Sequence, residues 1–239
     1  DELTDDPRFK GYTAIPPVSN ANYAWILHMI SKLDVNHGVA GFLLANGALN
    51  AEGDEGTIRQ ELLEKDRVEA IIVLPRDMFY TTDITVTLWI VSMNKKASTV
   101  NGRKLRDRTN EILFMDLRRW DENIEEIVID KGKKKKKTVL SDSQIIRIKE
   151  IYNSWQNEDQ SQYKNIPELC QTASLSEIRD KGYVLTPSKY IEFIDHDMDI
   201  NYQEEMKRIQ KEMREVMKAE KESQMMLEDA FRGIGYEIN

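Results

Sequence analysis

The stretch that decides the fold reads, from residue 68 to residue 96, VEAIIVLPRDMFYTTDITVTLWIVSMNKK. Two apolar runs, residues 70–74 and 84–93, are rich in Val and Ile and are short enough to be buried strands rather than helices. The polar loop between them carries two adjacent aromatic residues, Phe79 and Tyr80. Such a pair at the end of a buried strand suits a flat ligand better than a core. We therefore expect the function of the chain to depend on this loop.

The segments around this stretch alternate between helix and strand. Apolar residues at helical spacing predict a helix over 20–33, with Asn20 as its N-cap, and another over 55–66. A buried strand is predicted at 39–45 and a further strand at 112–117. This alternation is typical of an α/β protein with a mainly parallel sheet covered on both faces. The connection between the two apolar runs is only about nine residues long, which favours an antiparallel pair at the sheet edge.

Composition limits the classes of protein that the chain can belong to. Its 239 residues are 40% hydrophobic and 32% charged, which is typical of a globular protein with one sizeable α/β domain plus an appendage. With 34 Lys and Arg against 42 Asp and Glu the net charge is −8, so a DNA ligand would need positive surface from elsewhere. The single cysteine, Cys170, excludes an intramolecular disulfide and favours a reducing cytoplasm. No apolar run reaches the roughly 18 residues of a membrane span.

A basic run, DKGKKKKK, occupies residues 130–137. It could contact a phosphate, but we favour a solvated, flexible loop, because runs of like charge usually lie in solvent. The role of residues 133–137 stays open. A helix follows near 141–156, and its start is marked by Ser141 with Gln144 three residues later, a capping box.

Residues 202–233 read as one long helix with no Pro or Gly inside it. Its length is roughly 45 Å at 1.5 Å per residue, which is too long for its apolar stripe to be buried on a small domain alone. The stripe has the alternating three-four spacing of a coiled-coil seam and consists of Met206, Ile209, Met213, Val216 and Leu227. We predict that the helix docks against a helix of another chain. A helix folded back on its own domain and a helix that pairs with itself are the alternatives.

No catalytic constellation is complete in the sequence. His28, His37 and His196 are far apart, and no metal-ligand spacing is present. Residues 195–199, DHDMD, lack the Gly and Glu of a calcium loop. Residues 15–18, IPPV, resemble the Asn/Asp-Pro-Pro-aromatic motif of amino-methyltransferases but lack its amide or carboxylate and its aromatic ring. We therefore predict no catalytic, cofactor-binding or metal-binding residue in this segment.

Five segments together resemble a known family. They are DDPRF (5–9), NANYAWILHMISKLD (20–34), VAGFLLANGAL (39–49), EGTIRQELLEKDRVEAIIVLPRDMFYTTDI (55–84) and GYVLTPSKYI (182–191). Their order and spacing resemble the methyltransferase (modification) subunit of type I restriction–modification systems. These subunits are adenine-N6 DNA methyltransferases that use S-adenosylmethionine.

The resemblance implies a fold and a division into domains. Residues 1–120 would be the later half of a Rossmann-like methyltransferase sheet, residues 121–200 a linker with a small helical and extended region, and residues 201–239 the long helix for subunit association. In the family, the Gly-rich turn that binds S-adenosylmethionine and the catalytic Asn-Pro-Pro-aromatic motif precede the DDPRF segment. The resemblance therefore implies that this fragment alone is inactive.

The resemblance also implies a target-base site and partners. The family flips an adenine out of the duplex and stacks it between aromatic rings. The second of these rings maps onto Phe79, with Tyr80 as the fallback and Thr82 as a further DNA contact. A ring that merely plugs the sheet end is the alternative for Phe79. A specificity subunit would read the DNA sequence and dock on the C-terminal helix, beside a restriction subunit. The rival interpretation is a non-catalytic α/β adaptor that assembles a complex through that helix.

Overall fold

The computed structural model describes residues 5–128, 134–159, 162–194 and 202–233. Its contacts form two compact units, Asp1–Phe193 and Ile194–Asn239. The strands are β1 Val39–Ala45, β2 Val68–Val73, β3 Val86–Ser92, β4 Ser98–Val100, β5 Arg103–Leu105, β6 Glu111–Asp116, β7 Ile124–Val128, β8 Lys134–Thr138 and β9 Cys170–Ser174. The helices are α1 Asn22–Ile30, α2 Gly53–Glu64, α3 Asp142–Gln156, α4 Leu175–Asp180 and α5 Tyr202–Gly233.

The main sheet of the first unit has five strands in the order β1-β3-β2-β6-β9. Only β2 and β6 pair in parallel, whereas β1 with β3, β2 with β3, and β6 with β9 are antiparallel. The prediction of a mainly parallel sheet is therefore wrong. The helix between β1 and β2 does return the chain to the same direction, but β3 comes to lie between these two strands. β9 falls inside the range 121–200 that the sequence assigned to a linker region, and it belongs to the main sheet.

The antiparallel pairing of the two apolar runs is confirmed, but their position at the sheet edge is wrong. β3 is an interior strand, and β1 takes the edge of the described sheet. β1 was predicted to be buried, yet its residues alternate between exposed and half-buried. Only one face of Val39–Ala45, with Ala40, Phe42 and Leu44, packs against the core.

The two central strands have both faces covered. Because successive side chains of a strand point to opposite faces, Ile71 and Phe114 belong to the core cluster that includes residues of α1 and α2. Ala70 and Met115 belong to the cluster on the other face, which includes Trp155 of α3. Coverage of both faces, which the sequence predicted, is confirmed for β2 and β6. These strands form the rigid platform that carries the loops described below.

Helix starts are defined by local polar contacts. The Gln144 amide donates to Ser141 Oγ (3.3 Å), and the Gln144 side chain accepts from the Ser141 amide (2.8 Å), which confirms the capping box of α3. Helix α1 begins later than predicted, with Ala21 at the N-cap position. Asn20 still accepts a hydrogen bond from the Asn22 amide (3.1 Å), so its side chain satisfies one of the free amides at the helix start.

A buried polar network lies at the amino-terminal edge of β2 and β6. The side chain of Lys95 has no exposed surface. Its Nζ donates to the carbonyls of Val68 (3.0 Å) and Glu111 (2.7 Å) and forms an ion pair with Asp66 (2.6 Å). All three donors of this ammonium are thus used, which is the usual condition for burying a charge.

A second ion pair continues the network. Glu69 is buried and accepts from Arg108 Nε (3.2 Å) and from Gln156 Nε2 (2.7 Å). Since Gln156 is the last residue of α3, this contact ties the helix to the start of β2.

The second unit contains α5, whose 32 residues match the predicted helix. None of its residues is buried, and the seam residues Met206, Ile209, Met213, Val216 and Leu227 are 37 to 67% exposed. The apolar stripe of α5 is therefore not buried against any other part of the described chain. In the part of the chain that the structure describes, no helix combines the length and the apolar character that crossing a membrane requires.

Candidate functional site

The carboxyl-terminal ends of β1, β2 and β6 meet at one edge of the sheet, because these three strands run in the same direction. The turn Asn46–Leu49 follows β1, residues 75–83 follow β2, and Arg118 follows β6. Loops at this edge are the usual place for ligands in α/β sheets. We call residues 75–83 the aromatic loop and this side of the molecule the carboxyl edge.

The aromatic loop is closed by a hydrogen bond from the Leu74 amide to the Val86 carbonyl (2.9 Å). Asp77 has a φ of 60°, a left-handed conformation that Asp tolerates better than most residues. Phe79 is half-buried, whereas Tyr80 is 73% exposed. The two rings thus differ mainly in their exposure to solvent.

Thr82, the third predicted site residue, is half-buried. Its Oγ1 accepts a hydrogen bond from the Ile84 amide (3.3 Å), a local turn contact. The hydroxyl hydrogen is still available as a donor. The predicted roles of Phe79, Tyr80 and Thr82 stay predictions.

A cavity of about 260 Å³ opens at the carboxyl edge. It is lined by residues of four regions, including Asn46 after β1, Val73 of β2, Arg118 after β6 and Thr186. Asn46 Oδ1 is fixed by a hydrogen bond from Thr87 Oγ1 (2.6 Å). Small-molecule sites typically span about 300–1,000 Å³, so this cavity is sized for a small group.

A fixed cation lies beside this cavity. Arg118 Nη2 and Nε contact the buried carboxylate of Asp116 at 2.6 and 2.9 Å. The Asp116 carboxylate raises the pKa of Arg118. Since nearly half of the Arg118 side chain is exposed, the guanidinium can still bind a ligand carboxylate or phosphate.

A two-stranded ribbon, formed by β7 and β8, packs on the aromatic loop. The Thr138 amide donates to the Asp77 carbonyl (3.1 Å), and Lys135 forms an ion pair with Asp83. Lys137 Nζ lies 4.9 Å from the centre of the Tyr80 ring. The interpretation of the basic run as a solvated, flexible loop is therefore wrong for residues 134–137, whereas residues 130–133 lie outside the described part of the chain.

The charges of the ribbon and the loop act on each other. Lys135 lowers the pKa of Asp83, mainly through their direct contact, and Lys137 and Arg76 act in the same direction. Desolvation lowers the pKa of Lys137, and the neighbouring ammonium of Lys135 adds to this effect. The contact between ribbon and loop is therefore electrostatic as well as steric.

Sequence reasoning missed the Asp116–Arg118 pair. It raised a phosphate contact for the basic run and left the role of residues 133–137 open, but it did not single out Lys135 or Lys137. A strand is recognised by alternating apolar and polar residues, and a run of identical lysines has no such alternation. The only available signal was Thr138, a residue that favours strands, directly after the run.

The histidines and the cysteine do not form a site in the described residues. His28 Nδ1 lies 3.0 Å from Arg8 Nη1, and His37 accompanies a turn held by the Asp34 carboxylate. His196 and the DHDMD segment (195–199) lie outside the described part of the chain. Cys170 is a buried free thiol. In residues 5–128, 134–159, 162–194 and 202–233, no group of three or more His, Cys, Asp or Glu is arranged to hold a metal ion.

The chain belongs to the N-6 DNA Methylase family, whose model matches residues 1–199. This agrees with the fold and with the resemblance drawn from the five segments. The likeness to type I methylase subunits is confirmed by the relatives described next.

Two curated relatives align along almost the whole chain. The type I restriction enzyme HindI methylase subunit of Haemophilus influenzae is 30% identical over 99% of this chain and 48% of its own length. The MjaIX methylase subunit of Methanocaldococcus jannaschii is 28% identical over 97% of this chain and 39% of its own length. The chain thus spans less than half of either relative.

Solved structures give the same result for the fold. The type I restriction-modification methyltransferase subunit from Streptococcus thermophilus superposes with a TM-score of 0.62 at 27% identity, covering 81% of this chain and 34% of that one. The EcoKI M protein superposes with a TM-score of 0.52 at 17% identity, covering 94% of this chain and 46% of that one. The second likeness shows the fold alone.

Proposed function

We propose that this chain is the C-terminal part of a type I modification subunit that transfers a methyl group from S-adenosylmethionine to the N6 atom of adenine in DNA. Family membership supports the reaction class. The observation that carries the proposal for this segment is the aromatic loop at the carboxyl edge, with Phe79 half-buried beside an exposed Tyr80.

The binding of S-adenosylmethionine and the catalytic Asn-Pro-Pro-aromatic motif belong, in this proposal, to the part of the relatives that the chain does not cover. S-adenosylmethionine supplies the methyl group when it is bound. The described residues provide no Gly-rich turn after a strand that would hold it. The free edge of β1 supports this division, because an upstream strand could extend the sheet there. The segment alone would then be inactive.

The role that we assign to Phe79 is to stack on the extruded adenine. A ring that is half-buried has its orientation set by the protein, so one face can receive a base at a small entropic cost. Stacking contributes about 1–3 kcal/mol per base, which is roughly 5- to 150-fold in affinity. This contribution would be to binding and positioning, without proton transfer.

Substitution of Phe79 in the full-length subunit, assembled with its specificity subunit, tests this role. We expect Phe79→Ala to weaken binding of duplexes that contain the target and to slow methyl transfer, while affinity for S-adenosylmethionine is kept. Phe79→Leu is the matched control, because it keeps apolar volume and loses the aromatic face. If Phe79→Leu restores DNA binding, the ring only plugs the sheet end. If methylation of adenine is absent in the unmodified full-length subunit assembled with its specificity subunit, the adaptor interpretation takes over.

We also propose that α5 docks against a helix of the specificity subunit, in a complex that includes a restriction subunit. Its unburied seam of Met, Ile, Val and Leu supports a partner helix. Recognition of the sequence by a partner would also explain how a chain of net charge −8 acts on DNA.

Charge substitutions on the seam test the docking. We expect the double variant Ile209→Asp and Val216→Asp to lose co-purification with the specificity subunit. The control is Lys211→Asp with Lys218→Asp, which changes more charge on the opposite side of the helix. Normal assembly of the seam variant contradicts the proposal. A drop in oligomer size of the chain itself, measured by light scattering, would instead favour a helix that pairs with its own copy.

A further inference from the structure

Lys137 is a buried cation for which the described residues supply no hydrogen-bond acceptor. Its residue surface is 5% exposed, and among the described residues no acceptor lies within reach of its Nζ. An ammonium group has three donors, and leaving them unmade in a buried place costs stability. Such a group is rare in folded proteins and indicates either a missing partner or a function.

The ribbon presents Lys137 by strand geometry. Successive residues of β8 point to opposite sides, so Lys135 and Lys137 face the aromatic loop while Lys134 and Lys136 are exposed. Lys135 already has a partner, because it forms an ion pair with Asp83. Of the two inward lysines, Lys137 alone is left without a direct acceptor in the described residues.

The surroundings of Lys137 indicate what could reach it. The ring of Tyr80 lies 4.9 Å from Nζ and attracts the cation without accepting its hydrogen bonds. This ring is 73% exposed, so it can turn away without unpacking a core. Asp77 and Asp83 act on Lys137 electrostatically but do not bond to it. Because Nζ itself is buried, a ligand approaching from the aromatic loop can reach its donors only if the Tyr80 ring moves.

We propose that Lys137 binds one phosphodiester oxygen of the target DNA strand beside the extruded adenine, and that Tyr80 covers this ammonium until DNA displaces the ring. This proposal rests on the proposed function, since it needs an extruded base at the aromatic loop. Extrusion rotates a nucleotide about its backbone and brings the flanking phosphates to the mouth of the site. A phosphate oxygen supplies the acceptor that the Tyr80 ring cannot.

The salt dependence of DNA binding tests this contact. The full-length subunit is assembled with its specificity subunit, and its affinity for a target duplex is measured by fluorescence anisotropy from 50 to 200 mM KCl. Each phosphate contact contributes about 0.9 to the slope of log affinity against log salt, so Lys137→Gln should reduce the affinity change over this range roughly threefold. Lys136→Gln is the matched control, because it removes the same charge from the exposed side of β8. Identical slopes for the two variants overturn the proposal.

Neutral phosphate replacements identify the contact directly. Single methylphosphonates are placed in turn on either side of the target adenine. We expect one position to weaken the wild-type complex at least threefold and to leave the complex of Lys137→Gln unchanged. Equal losses in both proteins at every position contradict the proposal. Lys137→Met, which keeps the apolar stem, replaces Lys137→Gln if the latter does not fold.

Failure of this inference is distinguishable from failure of the proposed function. Adenine methylation by the wild-type assembly, measured in parallel, tests the function independently of Lys137. If the wild-type assembly methylates adenine but no methylphosphonate position distinguishes it from Lys137→Gln, the phosphate contact is refuted and the proposed function stands.

Discussion

Two buried lysines lie near opposite ends of the strands of the main sheet, Lys95 at the amino-terminal ends and Lys137 on the ribbon at the carboxyl edge. Their surroundings differ in one respect. Lys95 at the amino-terminal edge has three acceptors for its three donors. Lys137 at the carboxyl edge has an aromatic ring above it and no acceptor among the described residues. The first arrangement is the usual condition under which a folded protein tolerates a buried charge. The second is expected where a protein reserves a charge for a ligand.

The two lysines differ in how many of their hydrogen-bond donors are satisfied by the described residues. Both lysines are buried, so burial alone does not separate them. What separates them is the number of ammonium donors that have an acceptor among the described residues. The neighbouring ion pair of Glu69 and Arg108 follows the pattern of Lys95, since Gln156 supplies a further hydrogen bond.

The largest expected effect comes from removing the satisfied charge. Lys95→Met should lower the free energy of unfolding by about 3 kcal/mol, because it removes the ion-pair partner of Asp66 and the donor to two carbonyls. Lys137→Met should leave the unfolding free energy unchanged or raise it. Urea denaturation of both variants measures the contrast. If both variants lose the same unfolding free energy, Lys95 and Lys137 do not differ in their contribution to stability.

A smaller effect is expected when a neutral donor of the network is removed. Gln156→Leu should lower the unfolding free energy by about 1.5 kcal/mol, because the buried carboxylate of Glu69 loses one hydrogen bond. Thr82→Val at the carboxyl edge removes an acceptor that bonds only an exposed local amide, and should change stability by less than about 0.5 kcal/mol. Thermal unfolding checks both. A larger loss for Thr82→Val would mean that the aromatic loop is a structural element.

The smallest effect concerns pH at the carboxyl edge. Lys135 lowers the pKa of Asp83, so this ion pair contributes fully above the ordinary carboxyl value of 3.8 and is lost as pH falls through the lowered pKa. A ¹³C NMR titration of the Asp83 carboxyl should show a midpoint below 3.8 in the wild type. We expect the midpoint to rise towards 3.8 in Lys135→Gln. An unchanged midpoint in the variant would mean that the two side chains do not pair in solution.

Helix boundaries and short-range strand pairing could be predicted from the sequence, because residues close together along the chain determine them. The capping box at Ser141 and Gln144 defines the start of α3, and an uninterrupted helical pattern predicted α5 between Tyr202 and Gly233. Both signals involve residues within one or two turns of each other. The short connection between β2 and β3 likewise predicted their antiparallel pairing.

The arrangement of the strands could not be predicted in the same way. The apolar run of β1 matches the composition of a buried parallel strand, but its partner is β3, which lies more than 40 residues later in the sequence. Which strand lies beside which depends on packing between distant segments, and local composition does not record it. The aromatic loop was found from its position after a strand, whereas Lys135 and Lys137 required the register of β8 on β7.

The edge formed by β1 has a consequence for handling the protein. Its outer backbone groups pair with no strand in the described residues, and its side chains include the exposed Val39 and Leu43. Such a strand is a template on which a second molecule can add its own strand. Preparations of this segment on its own should therefore associate as concentration rises, as measured by light scattering, and Leu43→Lys should keep them monodisperse.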